Sequence, residues 1–376
     1  MAKRFYGRCL AAAIMGVTLL LDLSLQPASA DSSDTAVQIS IRSSPTATYL
    51  LKEKWNDPSL AEALRAETPL ESDEAPELSD IYVEWTEKGR RRTYRMGLSG
   101  NLYSEEEGTV ISVPASSSAR LLKEASRLSH AYYGELIGWQ EASRLVPRLK
   151  VFTVVDLETG LSFRVQRRAG RDHADVQPVS KEDTRIMKRI YEDRWSWRRK
   201  AVLVRAEGRQ LAASMNGMPH GGDGIPDNDF KGHFCIHFLD SSTHKSEVPD
   251  PAHRLMVYKA SGRPRALLQR LSPPEQAESL AEAINQRDRE WVRLFLERTG
   301  RKQSNRVLDR LPQVQSARIK TPERLSAGEE FLTFQEEMAI QIELSGGGKK
   351  RKPLRFEFAR LSPAEPWRIV LLSGEI

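Results

Sequence analysis

The residue types best suited to covalent chemistry concentrate in one stretch of the chain. Six of the seven histidines lie between positions 173 and 253, and the same stretch contains Cys235. The centre of this stretch is the segment GHFCIHF at 232–238. In a β-strand, successive side chains point to opposite faces, so His233, Cys235 and His237 would share one face. An imidazole beside a thiol can accept its proton, which makes the sulfur an attacking nucleophile.

The same alternation assigns the other face of the segment. Phe234, Ile236 and Phe238 are apolar and are predicted to point into a core. A Cys235 thiol used as a nucleophile is expected to have a depressed pKa and to react rapidly with alkylating agents at neutral pH.

A loop rich in glycine and proline precedes the cysteine segment. The sequence NGMPHGGDG covers residues 216–224 and contains His220, fifteen residues before Cys235. Such a loop turns tightly and leaves backbone N–H groups free, so we expect it to contact the substrate, with Gly221 and Gly222 next to the histidine.

A His-x-Asp pair lies further upstream. His173 and Asp175 follow a predicted strand at 161–167. Asp175 can orient an imidazole, or His173 can join the site, although local hydrogen bonding alone also explains such a pair. The tryptophans Trp195 and Trp197 are expected to anchor the core rather than to form a binding platform.

The motifs resemble those of the L,D-transpeptidases of bacterial cell walls. That family carries an upstream His-Gly, a loop, and then Ser/Thr-His-Gly-Cys-(Ile/Val)-Arg. Here His220-Gly221 corresponds to the first element. After twelve intervening residues, His233, Cys235 and Ile236 correspond to the second element at the right spacing. The resemblance covers about residues 150–262.

The chain departs from the family pattern at three positions. Gly232 stands in place of the Ser/Thr, Phe234 in place of the Gly, and His237 in place of the Arg. Loss of the Arg puts substrate positioning in question. A Phe beside the nucleophile is compatible with the motif if its ring points into the core, as the alternation predicts.

The resemblance implies a specific reaction. Cys235 would attack the acyl carbonyl of a peptidoglycan stem tetrapeptide with His233 as general base, a terminal D-amino acid would leave, and an amine or water would resolve the thioester. The predicted catalytic residues are Cys235, His233 and His220. The predicted substrate-binding residues are His237, Gly221, Gly222, His173 and Asp175. No cofactor and no nucleic-acid partner is expected, and the acyl acceptor and oligomeric state stay open.

The histidine and cysteine cluster also fits two other functions. His-x-Cys-x-His on a strand, with His220 or the pair His173 and Asp175 nearby, can also hold zinc, which would make the protein a zinc-dependent wall peptidase. Alternatively, the protein is a non-catalytic secreted wall-binding protein with a degenerate site. His244 and His253 are expected to be structural or exposed.

The N-terminus has the layout of a secretory signal peptide over residues 1–30. Lys3, Arg4 and Arg8 precede a mostly apolar run that ends at the small-residue site Ala28-Ser29-Ala30. We therefore expect a secreted or cell-envelope protein, with no membrane span after cleavage. Cys235 is the only cysteine of the mature chain, which excludes an internal disulfide.

Length and patterning predict a multidomain α+β protein. The chain has 376 residues, a net charge of +6 and only two cysteines, which excludes a disulfide-stapled scaffold. We expect an N-terminal α+β domain at 31–145 and a mostly-β, L,D-transpeptidase-like catalytic domain at 146–268. A C-terminal accessory domain at 269–376 is predicted, with helices followed by an antiparallel sheet, which resembles cystatin-like and nuclear-transport-factor-like domains.

Overall fold

The computed structural model describes most of the chain, namely residues 35–66, 69–70, 77–222, 224–243, 249–320, 331–345 and 349–374. The predicted signal peptide at 1–30 and His244 lie outside these residues, as does Asp223 of the predicted loop. The described part is a mixed α+β protein built on three sheets, which confirms the predicted class at this level.

The first sheet is formed by the N-terminal part of the chain. Its strands are β1 (Thr35–Ile41), β2 (Leu51–Trp55), β3 (Pro69–Leu70), β4 (Leu78–Glu87), β5 (Arg90–Gly97), β6 (Leu102–Tyr103) and β7 (Val110–Ile111), in the order β2-β1-β4-β5-β6-β7-β3. Two helices, α1 (Pro58–Ala66) and α2 (Ala115–Tyr132), belong to this part. The apolar positions Leu121, Ala125 and Leu128 recur at helical spacing, so α2 buries that face as it packs on β1 and β2.

The central part contains a closed sheet of six antiparallel strands. They are β8 (Val151–Asp156), β9 (Ser162–Ala169), β10 (Ala174–Pro178), β11 (Arg199–Ala206), β12 (Arg209–Asn216) and β13 (Phe234–His237), in the order β10-β13-β12-β11-β8-β9. The helices α3 (Trp139–Leu145), α4 (Lys181–Ile190), α5 (Pro251–Ala260) and α6 (Pro264–Leu268) flank it. The Oγ of Ser180 caps α4 by accepting a hydrogen bond from the Asp183 amide.

The C-terminal part places helices before a sheet. The helices are α7 (Pro273–Asn285), α8 (Arg289–Phe295) and α9 (Arg301–Arg310), and a short 3-10 turn follows at Leu311–Gln313. Ser272 and Glu275 form the capping box of α7, which packs on the first strand of the sheet. The strands β14 (Val314–Lys320), β15 (Thr333–Leu344), β16 (Lys349–Ala359) and β17 (Arg368–Ser373) pair in sequential, antiparallel order.

Two apolar clusters organise these parts. One fills the inside of the closed sheet and extends to Met187 and Ile190 of α4. The other runs without a break from the first sheet, past the outer faces of β11 and β12 and through α5, to the C-terminal sheet. The closed sheet therefore has an interior core of its own, while its outside is held by packing shared with both flanking parts.

No helix within the described residues has both the length and the apolar character needed to cross a membrane.

Candidate functional site

Cys235 lies on β13, which is paired with β10 on one side and β12 on the other. Phe234 and Ile236 point into the closed sheet and are fully buried, as the alternating pattern predicts. Phe234 thus leaves room beside the thiol, because its ring is on the other face of the strand. Cys235 itself is only 6 % exposed, so the thiol is covered mainly by the groups described below.

His220 makes the closest contact with the thiol. Its Nε2 atom lies 3.2 Å from the Sγ of Cys235, and its Nδ1 atom lies 2.8 Å from the carbonyl oxygen of Met218. A carbonyl oxygen only accepts hydrogen bonds, so Nδ1 carries the proton of the neutral ring. Nε2 then presents its lone pair to the thiol, which is the arrangement of a general base.

The backbone of His220 is locked to that of His233. Each amide donates to the carbonyl of the other, at 2.9 and 2.6 Å. Gly232 precedes this pair with a φ of 88°, and a Cβ there would lie 2.3 Å from the carbonyl oxygen of His220. Glycine is therefore required at this position.

A second glycine shapes the same corner. Gly221 has a φ of 72°, and a Cβ there would lie 2.2 Å from Cε1 of His233. The adjacent Gly222 is exposed, and a Cβ there would meet no atom within 4 Å. Of the two predicted substrate-binding glycines, the structure thus gives Gly221 a packing role against the imidazole and places Gly222 at the surface.

Asp175 approaches the thiol from β10, where it pairs directly with Cys235. Its Oδ1 atom lies 3.7 Å from Sγ, 3.1 Å from Nε2 of His173 and 3.6 Å from Nε2 of His233. The ring of His173 is held at its other nitrogen by the carbonyl of Ser242, at 2.8 Å. One buried carboxylate therefore connects the thiol to two imidazoles.

The thiol does not have the depressed pKa expected from the sequence. Burial raises the pKa of the Cys235 thiol, and the negative charge of Asp175 raises it further. A hydrogen bond with Asn216 and the charge of Arg199 act in the opposite direction without cancelling the effect. Cys235 is therefore a neutral thiol at pH 7, and any attack by sulfur requires proton transfer to a neighbouring base.

His237 lies in a stack of three buried imidazoles. Its ring centroid is 4.5 Å from that of His173 and 3.7 Å from that of His253, with the rings nearly parallel. Burial lowers the pKa of His237 and of His253 well below their ordinary value, so both rings are neutral at pH 7. Nδ1 of His253 lies 2.9 Å from the Ser214 hydroxyl. The expectation of a structural role for His253 is consistent with this burial.

Trp197 borders the site on the solvent side, contrary to its expected core position. Its side chain is 50 % exposed, and its ring lies 5.2 Å from that of His220. Trp195 does pack on the inner core of the closed sheet, against Phe230. The sequence contains no signal that separates the two tryptophans, because both lie in the same polar turn before β11.

Two sets of donor atoms in this region could hold a metal ion, and both include Cys235. One set adds His173 and His237, and the other adds His220 and His233; within each set the donor atoms all lie within 4.8 Å of one another. The structure thus brings together seven of the eight predicted site residues, and only Gly222 stands apart from the thiol and its neighbours.

Comparison of the chain with protein-family models, with curated proteins and with solved structures finds no match.

Proposed function

We propose that this protein is an exported cell-wall enzyme that uses Cys235 for acyl transfer on peptidoglycan stem peptides, as an L,D-transpeptidase or L,D-carboxypeptidase. The observation that carries the proposal is the 3.2 Å contact between Sγ of Cys235 and Nε2 of His220, whose other ring nitrogen is anchored on a carbonyl. A thiol held against the free lone pair of an oriented imidazole is the arrangement needed for nucleophilic acyl transfer.

The general base in this proposal is His220 rather than His233. As Sγ bonds to the acyl carbon, Nε2 of His220 takes the thiol proton, and the tetrahedral intermediate forms. The imidazolium then gives that proton to the leaving amine as the carbon–nitrogen bond breaks, which yields a thioester and a free D-amino acid. Attack by an amine or by water, deprotonated by the same imidazole, breaks the carbon–sulfur bond and restores the thiol.

A raised thiol pKa is compatible with this mechanism. The donor and acceptor are already in contact, so proton transfer and attack can occur together without a stored thiolate. Asp175 lies 3.6 Å from His233 and so can hold that ring beside Gly221. We assign His233 and Asp175 as positioning residues, while His173 and His237 support the opposite side of the sulfur.

The proposal also covers the domains around this site and the location of the protein. The closed sheet and its helices would form an L,D-transpeptidase-like domain within 146–268, and the C-terminal helices and four-stranded sheet would be a cystatin-like or nuclear-transport-factor-like accessory domain. Export would place the protein in the cell envelope or outside the cell. The antiparallel closed sheet around Cys235 supports this view.

Mass spectrometry of the mature protein with a stem tetrapeptide tests the proposal. We expect a covalent adduct of the acyl fragment on Cys235 and release of the terminal D-amino acid. Cys235→Ala should give neither product while keeping its fold. His220→Ala should form the adduct at least about a hundredfold more slowly, the usual contribution of a general base. Turnover by Cys235→Ala would overturn covalent catalysis.

A specific geometry favours zinc peptidase activity as a second candidate. The distances from Cys235 Sγ to His220 Nε2 and to Asp175 Oδ1 are 3.2 and 3.7 Å, and Asp175 lies 3.6 Å from His233 Nε2. Zinc bonds of ~2.0–2.3 Å at tetrahedral angles separate the ligand atoms by about 3.3–3.8 Å. His220, His233 and Cys235 would hold the ion, and the fourth position would be open for a water molecule that the ion would activate.

Metal content separates the two candidates. A zinc enzyme should contain about one ion per chain by elemental analysis, lose activity with a chelator, and bind less zinc when His233 is replaced by alanine. Under the cysteine mechanism, chelator-treated protein should still form the acyl adduct. An adduct on metal-free protein therefore rejects the zinc enzyme, and inactivity that only zinc restores rejects the cysteine enzyme.

A further inference from the structure

A cleft of about 330 Å³ opens where all three parts of the molecule meet. One wall comes from the segment after β1, another from the start of β11, and a third from the turn between α7 and α8. Cationic side chains from two of these elements face the same space: Arg198 and Lys200 from the β11 side, and Arg287 and Arg289 from the helical turn. The cleft is thus the place where positive charge from separate parts of the chain converges.

These four cations have no carboxylate partner within the described residues. The guanidinium of Arg287 donates to the carbonyl of Val314, at 3.0 and 3.2 Å, and that of Arg289 donates to the carbonyl of Leu308. Burial lowers the pKa of Arg198, the positive charge of Arg287 lowers it further, and the charge of Glu192 offsets only part of this shift. Two guanidinium groups held close enough to repel one another are unfavourable until an anion enters between them.

The carboxylates that line the cleft are already engaged elsewhere. Asp288 pairs with Lys259 at 2.5 Å, and Glu290 and Glu105 both pair with Arg95 and Arg293. Glu158 accepts hydrogen bonds from the hydroxyls of Ser44 and Thr46, and Asp156 accepts from Thr159. None of these acidic groups forms an ion pair with the four cations, and Lys200 acts on Asp156 only through its charge, which lowers the Asp156 pKa. The lining therefore keeps an excess of positive charge for a ligand.

A short chain of contacts connects the thiol to the edge of the cleft. Trp197 contacts the ring of His220, which contacts Sγ, and Arg198 is the next residue along the chain. Arg199 also lines the cleft and is close enough to the thiol for its positive charge to lower the Cys235 pKa. A four-residue peptide in extended form spans roughly 13 Å, at about 3.3 Å per residue. A tetrapeptide that acylates Cys235 is therefore long enough to follow these contacts towards Arg198 and the cleft.

We propose that this cleft binds free carboxylates of the stem peptide whose acyl group is delivered to Cys235, with Arg198 and Arg287 as the ligand-binding pair and the exposed face of Trp197 as the surface between the cleft and the thiol. This inference rests on the proposed function and names how the substrate is recognised. Guanidinium groups suit the role because their planar donors bind carboxylates in a bidentate manner.

Binding to an inactive variant tests the inference separately from catalysis. The protein carries Cys235→Ala, and calorimetry compares a stem tetrapeptide with free carboxylates and the same peptide with those groups amidated. We expect the free form to bind more tightly, with an affinity that falls as salt is added. Arg198→Gln should weaken binding of the free form about tenfold, the equivalent of one charge-assisted hydrogen bond, and should leave binding of the amidated form unchanged.

Two controls make the result decisive. Arg351→Gln removes an exposed arginine of β16, remote from the cleft, and should not change either affinity. Since Arg198 is repelled by Arg287, Arg198→Gln should not lower the melting temperature of the ligand-free protein, whereas an arginine with only a structural role would. In the active protein, Arg198→Gln should raise KM with little change in kcat.

The outcomes distinguish the two proposals. Equal binding of the free and amidated peptides, or equal losses in Arg198→Gln and Arg351→Gln, would overturn the cleft assignment even if Cys235 is acylated. Selective binding of the free peptide by the Cys235→Ala protein, combined with no adduct in the wild type, would uphold the cleft and reject the proposed reaction.

Discussion

Asp175 faces Cys235 directly across the β10–β13 pair, with Oδ1 3.7 Å from Sγ. Burial is the main cause of the raised thiol pKa, and the charge of this carboxylate raises the pKa further. A cysteine–histidine site usually stores a thiolate beside an imidazolium. Here the neighbouring carboxylate opposes the thiolate, so the sulfur depends on His220 for removal of its proton.

Asp175→Asn should therefore make the thiol more reactive towards simple alkylating agents. Loss of the negative charge lowers the thiol pKa, and the thiolate fraction at pH 7 rises about tenfold for each unit by which the pKa falls. The rate of iodoacetamide alkylation between pH 6 and 10 measures this change, and at each pH it should be higher in Asp175→Asn than in the wild type. Equal rates in the two proteins would show that Asp175 does not act on the sulfur.

Gly232→Ala should disable the site although it adds only one methyl group. A Cβ at this position would lie 2.3 Å from the His220 carbonyl oxygen, and the alanine would have to adopt a left-handed backbone conformation. The backbone pair between His220 and His233 must then open, which moves Nε2 away from Sγ. We expect at least about a hundredfold loss in the rate of acyl-adduct formation, as for removal of the base.

Gly222→Ala is the matched control for that substitution. Its Cβ would enter open space, and its backbone is outside the left-handed region. Adduct formation in Gly222→Ala should stay within about twofold of wild type, because surface substitutions away from special conformations are nearly neutral. Similar losses in both variants would mean that the loop acts through its general flexibility rather than through the His220–His233 pair.

The sequence predicts the elements that have strong hydrophobic periodicity. It does not predict β10, the short strand that carries Asp175. Alternation of Phe234, Ile236 and Phe238 with polar residues is visible because three large apolar side chains share one face. The segment Ala174–Pro178 has all five side chains buried, so it shows no such alternation and no strand is predicted there. Its pairing with β13 is non-local, and only the fold brings Asp175 to the sulfur.

The contact between His220 and the thiol also could not be predicted from the sequence. His233 is the nearer histidine along the chain, and strand alternation puts it on the same face as Cys235. The loop that carries His220 returns because Gly232 and Gly221 allow left-handed backbone, and it brings Nε2 to 3.2 Å from Sγ. Fifteen residues of loop have too many conformations for spacing alone to predict that contact.

Two stacked neutral imidazoles should make folding sensitive to mild acid. His237 and His253 have pKa values well below those of unfolded histidine, so the unfolded chain binds more protons below about pH 6.5. The free energy of unfolding is therefore unaffected above that pH and falls as pH decreases, by about 1.4 kcal/mol per pH unit for each residue. Urea unfolding between pH 5 and 8 measures the slope.

Substitution identifies the groups responsible for that slope. His253→Gln keeps a polar partner for Ser214 and removes one of the two titrations, so the slope below pH 6.5 should fall by about half. His130→Gln changes an exposed residue of α2 and should leave the slope as it is. If both variants keep the wild-type slope, other groups cause the acid sensitivity.

The ion pair between Arg95 and Glu290 should be a major link between the first sheet and the C-terminal helices. Arg95 lies on β5 with its side chain 7 % exposed, and Glu290 lies on α8. Burial raises the pKa of Glu290, but the charges of Arg95 and Arg293 more than offset it, so the carboxylate stays ionised. Arg95→Met would leave this buried charge with Arg293 alone and should destabilise the protein by about 3 kcal/mol.

A double variant separates the cost of an unpaired charge from the value of the pair itself. Arg95→Met combined with Glu290→Met replaces both charges by apolar groups and should recover most of the lost free energy, since burying an ion pair requires removing both groups from water. The exposed α4 pair of Arg185 and Glu182 provides the comparison, and Arg185→Met should cost less than about 1 kcal/mol. Additive losses at positions 95 and 290 in urea unfolding would mean that the two residues act independently, and that this ion pair does not link the first sheet to the C-terminal helices.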